Sequence, residues 1–93
     1  MSFQVRTPWL KVVSVTPLHN YRLKILFENS SEKILNLSSL ITTRDCYWRL
    51  RNNRYFQQVA IDPLGGLYWP EGEDLAPDGL DRYLERANSE EFT

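Results

Sequence analysis

Between Arg44 and Tyr55 the chain reads Arg-Asp-Cys-Tyr-Trp-Arg-Leu-Arg-Asn-Asn-Arg-Tyr, interleaving four guanidinium groups with three large aromatic rings. Guanidinium groups grip carboxylates or phosphates two-pronged, and aromatic rings stack on bases or anchor protein contacts. Arg44, Tyr47, Trp48, Arg49, Arg51 and Arg54 are therefore the candidate binding residues. The same residue types also serve structure. Arginine stems cover apolar surface, and Trp48 with Leu50 can plug a core beneath a loop. On sequence both readings stay open.

Other chemistry finds little support. His19 stands alone beside Asn20, and with Cys46 the single cysteine there is no ligand set for a tetrahedral metal site. A Cys46–His19 nucleophile pair would lack the third group that orients the base. Asp74, Asp78 and Asp81 gather around a helix start, where capping and the helix dipole account for them. Gly65-Gly66 lacks the further glycines and the lysine of a phosphate loop. The expectation is a protein with no catalytic residues, no metal site and no cofactor, and not an enzyme.

Composition bounds the rest. A chain of 93 residues is one domain with one modest core. A 42% hydrophobic and 25% charged content is that of a folded chain and not a disordered one. No apolar run approaches the roughly 20 residues of a membrane helix. Met1-Ser2-Phe3-Gln4-Val5-Arg6 has no apolar stretch with a cleavage site, so no secretory signal is expected. With one cysteine and no internal disulfide, the expected home is a reducing cytoplasm. The net charge of −1 hides a split: +6 over residues 1–60 and −7 over residues 61–93. Oppositely charged halves can neutralise each other within the fold or steer a partner.

Periodicity predicts the elements that must position the arginine segment. Leu10 to Thr16 is a β-branched strand ending at Pro17, with a parity shift between Val12 and Val13 that means burial on both faces or a bulge. After a His19-Asn20 turn, Tyr21, Leu23, Ile25 and Phe27 alternate with polar residues in a half-buried strand. Asn29-Ser30-Ser31 turns the chain into a third strand over Glu32–Leu37, completing a meander. Ser38 or Ser39 is expected to cap a helical turn carrying Leu40 and Ile41. Thr42 to Asn53 has weak periodicity and reads as a loop with a short helix near Leu50 to Phe56. A second hairpin sets Val59 and Ile61 against Leu67 and Trp69, with Gly65-Gly66 supplying positive φ angles and Pro70 ending the strand. Turn chemistry accounts for every residue of the Trp69-Pro70-Glu71-Gly72 corner. Pro77 opens a C-terminal helix of about three turns with a stripe of Leu80, Tyr83, Leu84 and Ala87. Residues 88–93 read as a flexible tail, leaving an ordered part over about 9–87 of a single domain spanning 1–93. The class is α+β: a small antiparallel β meander plus a second β-hairpin, with short helices and a C-terminal helix. The predicted core is Val13, Val15, Leu23, Ile25, Phe27, Val59, Ile61, Trp69 and Leu80.

The pattern Val13-x-Val15-x-Pro17-Leu18, Tyr21-x-Leu23-x-Ile25-x-Phe27, Leu37-x-x-Leu40, Phe56-x-x-Val59-x-Ile61-Asp62 and Trp69-Pro70-x-Gly72-x-Asp74-Leu75-Ala76-Pro77 resembles the bacterial family known as domain of unknown function 2442. The likeness covers roughly Leu10 to Tyr83, and the Trp69 to Pro77 corner is its most specific part. It implies two small antiparallel β units with short helices, and brings no catalytic residues. Some relatives carry a helix-turn-helix domain after this module, and others are encoded beside a small protein in what looks like a toxin–antitoxin pair. With Phe92-Thr93 closing the chain, the DNA-reading role is not carried over. Asn29-Ser30-Ser31 stands where many relatives have a glycine, so a longer turn is expected.

The functional expectation is a small cytoplasmic protein-interaction module, the antitoxin-like member of a two-gene pair. Its partner would be the product of a neighbouring gene, with a homodimer as a further arrangement. The alternative is a nucleic-acid-associated regulator using the arginine/aromatic segment, which a net charge of −1 disfavours. No membrane contact is expected.

Overall fold

Leu23, Ile25 and Phe27 share one face of the strand Arg22–Phe27, and their burial makes it the centre of a three-stranded antiparallel sheet. The computed structural model describes residues 9–85. Its first sheet is β1 (Val12–Leu18), β2 (Arg22–Phe27) and β3 (Glu32–Asn36) in chain order, with Val15 opposite Ile25 and Leu23 opposite Leu35. Then come α1 (Ser38–Thr43), a 3₁₀ helix over Asp45–Arg51 and α2 (Asn53–Phe56). A second antiparallel sheet of β4 (Ala60–Ile61), β5 (Leu67–Tyr68) and β6 (Asp74–Leu75) precedes another 3₁₀ helix over Pro77–Tyr83. The α+β class stands.

The parity shift in β1 is a bulge. Val12 pairs with Phe27 and Ser14 with Leu26, so Val13 is the extra residue and swings outward. Val12 is 2% exposed and Val13 54%, so Val12 takes the core place predicted for Val13. Leu23, Ile25, Phe27, Trp69 and Leu80 are buried as predicted, while Val15, Val59 and Ile61 are half-buried against the core. Tyr21 lies outside β2, at φ 60°, a costly conformation for a large side chain. Its hydroxyl donates to the Arg51 carbonyl at 2.8 Å and its ring meets Phe56 edge-on at 5.6 Å, which hold it there.

Three turns differ from expectation in instructive ways. At Asn29-Ser30-Ser31 the Ser30 N–H donates to Phe27 and the Phe27 N–H to Ser31, a tight three-residue loop and not a longer one. Ser30 itself takes the left-handed position, φ 72°, that glycine fills at no steric cost. The Trp69–Gly72 corner is the same kind of loop: Gly72 N–H donates to Trp69, Trp69 N–H to Glu73, and Gly72 has φ 110°. It therefore turns the chain back into β6, giving the predicted hairpin a third strand. Of the paired glycines only Gly65 has positive φ; Gly66 is needed for space, since a Cβ there would lie 2.5 Å from the Leu75 carbonyl.

The helices are shorter than their sequence signals. Neither Ser38 nor Ser39 caps α1: the cap position is Leu37, which has no side-chain bond to give, and Asn36 before it makes an Asx turn, its Oδ1 accepting from the Ser38 N–H at 3.0 Å and the Ser38 hydroxyl at 2.6 Å. The C-terminal helix is a single 3₁₀ segment ending at Tyr83. Three-residue turns align Leu80 with Tyr83, but Leu84 no longer falls on that stripe. Leu84 instead bridges Leu35, and the Glu85 N–H donates to the Ile34 carbonyl at 2.8 Å. Ala87 and the predicted tail over 88–93 lie outside the described residues. At the centre of the molecule Trp69, 1% exposed, donates its indole N–H to the Phe56 carbonyl at 2.9 Å. Among the described residues no helix is long and apolar enough to cross a membrane.

Candidate functional site

The segment predicted as a loop is helical. Its 3₁₀ turns, kinked at Tyr47, stack residues three apart, so Tyr47 and Leu50 face inward while Asp45, Trp48 and Arg51 form the outer face. Leu50 is fully buried and fastens the segment to the core. Asn52 closes it and opens α2, its side chain accepting from the Tyr55 N–H at 3.2 Å.

Cys46 and Arg49 run along the third edge, toward the β5–β6 corner, where a cleft of about 280 Å³ opens. At its floor lies Glu73, a carboxylate only 7% exposed. Its alternation with Leu75 on the same inward face places it there. Glu73 accepts from the Tyr55 hydroxyl and, at 3.2 Å, from Arg49 Nη1. The Tyr55 oxygen in turn accepts from the Glu71 N–H at 2.8 Å. Burial alone would raise the Glu73 pKa. The Tyr55 hydroxyl, the backbone N–H of Glu73 itself and the Arg49 guanidinium outweigh it, holding the carboxyl below the usual range and ionised at neutral pH. Burial and the bond to Glu73 push the Tyr55 hydroxyl upward, so it remains a donor. Tyr47 donates to the Asp74 carbonyl at 3.2 Å, tying the first 3₁₀ helix to β6.

This network sets the predicted site residues apart. Arg49 lies 4.9 Å over the Trp48 ring while its guanidinium is fixed by Glu73, so the pair is pre-positioned, with Trp48 57% exposed. Arg51 turns back to the Ile41 carbonyl, 3.4 Å from both Nε and Nη2, and steadies the end of α1. Arg44 ends α1 and Arg54 stands exposed on α2. Neither pairs with a carboxylate among the described residues. Tyr47 and Arg49 therefore line the cleft with Trp48 set against Arg49, whereas Arg44 lies outside that cleft and Arg51 is structural. Glu73 was missed by sequence reasoning, although its parity with Leu75 pointed inward. The chemistry on offer is recognition: an aromatic face, fixed cations and a lined cleft.

Residues 12–85 match the model of the family described as protein of unknown function (DUF2442). No curated protein and no solved structure matches the chain.

Proposed function

This chain belongs to the DUF2442 family, and from that premise we propose that it is a protein-interaction module whose contact surface is centred on Trp48 and Arg49. One observation carries the reading: a tryptophan more than half exposed, under an arginine that a buried carboxylate holds in place. Trp, Tyr and Arg dominate the energetics of protein contacts. The fixed guanidinium lowers the ordering cost that a free arginine would carry into a complex. In this reading the module acts by binding and not by catalysis. It is a bacterial, cytoplasmic, antitoxin-like protein whose partner is the product of a neighbouring gene.

Nucleic acid is the weaker partner class. Arg49 and Arg51 are engaged by Glu73 and the Ile41 carbonyl, which leaves no continuous row of cations to track phosphates. The test is co-expression with the products of the neighbouring genes, followed by affinity measurement on any complex. Trp48→Ala should weaken that complex by roughly 30-fold or more, a loss of about 2 kcal/mol, with cooperative unfolding intact. A complex indifferent to Trp48→Ala would move the contact elsewhere. Retention on nucleic acid that falls steeply with salt would favour the other class.

A further inference from the structure

A second hollow, of about 190 Å³, lies between the two 3₁₀ helices, lined by Arg44, Arg82, Tyr47, Tyr83 and Gly79, with Asp74 also on its wall. The ion pairs among the described residues are Arg22–Glu85, Lys24–Glu32 and Arg49–Glu73, so neither Arg44 nor Arg82 is paired with a carboxylate among the described residues. Asp74 closes no ion pair on either arginine, and the hollow keeps a surplus of positive charge. Two guanidinium groups brought to one concavity from different elements repel each other, and an oxyanion between them relieves that repulsion with charge-assisted hydrogen bonds. The Tyr83 hydroxyl makes no hydrogen bond among the described residues, so its O–H is available as a further donor. Burial first of all raises the Tyr47 hydroxyl, so that wall stays uncharged at neutral pH and adds no negative charge.

We propose that this hollow is an oxyanion-binding site that takes a single carboxylate or phosphate group between Arg44 and Arg82, with the Tyr83 hydroxyl as a third donor. The volume of about 190 Å³ accommodates one such group. The site goes beyond the interaction reading and does not depend on it, because Trp48 is no part of its wall.

The experiment is a titration of the ¹⁵N-labelled full chain with inorganic phosphate and, separately, with acetate. The Arg44 and Arg82 side-chain N–H signals and the Gly79 amide report on the hollow. Saturable shifts with a dissociation constant on the order of millimolar are expected for at least one ion. They should weaken about tenfold or more in Arg44→Gln and in Arg82→Gln, and persist in Arg54→Gln. Tighter phosphate than acetate assigns the bound group to a phosphate, and the reverse to a carboxylate. Shifts that never saturate with either ion, that survive Arg82→Gln, or that vanish equally in Arg54→Gln, overturn the proposal. None of these outcomes depends on whether a protein partner exists.

Discussion

Replacing Glu73 with Gln keeps the shape of the corner and removes its buried charge. The side chain of Glu73 is 4% exposed and that of Arg49 38%, so solvent screens the ion pair and it contributes at most about 1 kcal/mol. The larger loss is the bond from Tyr55: a hydrogen bond to a charged acceptor contributes about 1.5–3 kcal/mol against about 0.5–1.5 for a neutral one. Glu73→Gln should therefore destabilise by about 1–2 kcal/mol near neutral pH. The sign of the pH dependence follows from the lowered pKa of Glu73. A carboxyl that binds its proton less readily when folded contributes stability that is full above its unfolded value, about 4.3, and is lost as pH falls through the folded value. The wild-type advantage should thus be complete near neutrality and shrink as pH drops below about 4. Urea unfolding followed by tryptophan fluorescence at a series of pH values measures it, and other carboxylates cancel in the difference between the two proteins. Equal stability at neutral pH, or a gap that widens in acid, would refute the argument.

Ser30→Gly relieves a left-handed serine and should stabilise by about 0.5–1 kcal/mol, raising the melting temperature by several degrees. An unchanged or lower transition would mean that the Asn29 side chain, which accepts from both the N–H and the hydroxyl of Ser31, already relieves the turn. Phe27→Ala, at a residue packed into the core, should cost roughly 3–5 kcal/mol and leave little native signal in circular dichroism. Trp48→Ala should lower unfolding free energy by no more than about 1 kcal/mol, the scale of its contact with Arg49, since its ring is surface and not core; a loss of several kcal/mol on urea unfolding would make it a core residue.

Where burial and period agree, the chain was readable before its coordinates were. Tyr21 apart, the alternation through Phe27 marked β2 and its inward face, and the clash of parities at Val12-Val13 named the bulge as one of two options. The site was half legible. Residue type named the segment, and within it Tyr47 and Arg49 line the Glu73 cleft with Trp48 against Arg49, while Arg44 lines a separate hollow. Their helical setting was hidden, since a three-residue period over one turn after another leaves no α-helical stripe. Glu73 was hidden because carboxylates are assumed to seek water, and only its partners Tyr55 and Arg49, distant in sequence, make burial tolerable. Strand β6 escaped because two residues carry too little alternation to announce themselves. The C-terminal stripe failed as an α-helix because Leu84 found a better partner in Leu35.

That last pairing has a consequence for how the molecule is born. Leu84 and Glu85 seal the outer edge of β3, and Glu85 lies 49 residues beyond the Asn36 it bonds. A ribosome adding about 5–20 residues per second emits β3 roughly 3–10 s before the seal. Hairpins close in microseconds, so whenever the meander forms within that interval the backbone groups of Ile34 and Leu35 are open to any passing strand. The opposite edge is blunted at Pro17 of β1, which carries no N–H to offer, and its Val12 N–H is taken up by the Gly65 carbonyl at 3.0 Å only once that residue has been made. Mispairing during synthesis, where it occurs, therefore ends at each edge when the chain's own later residues arrive, Gly65 on the β1 side and Leu84 with Glu85 on the β3 side.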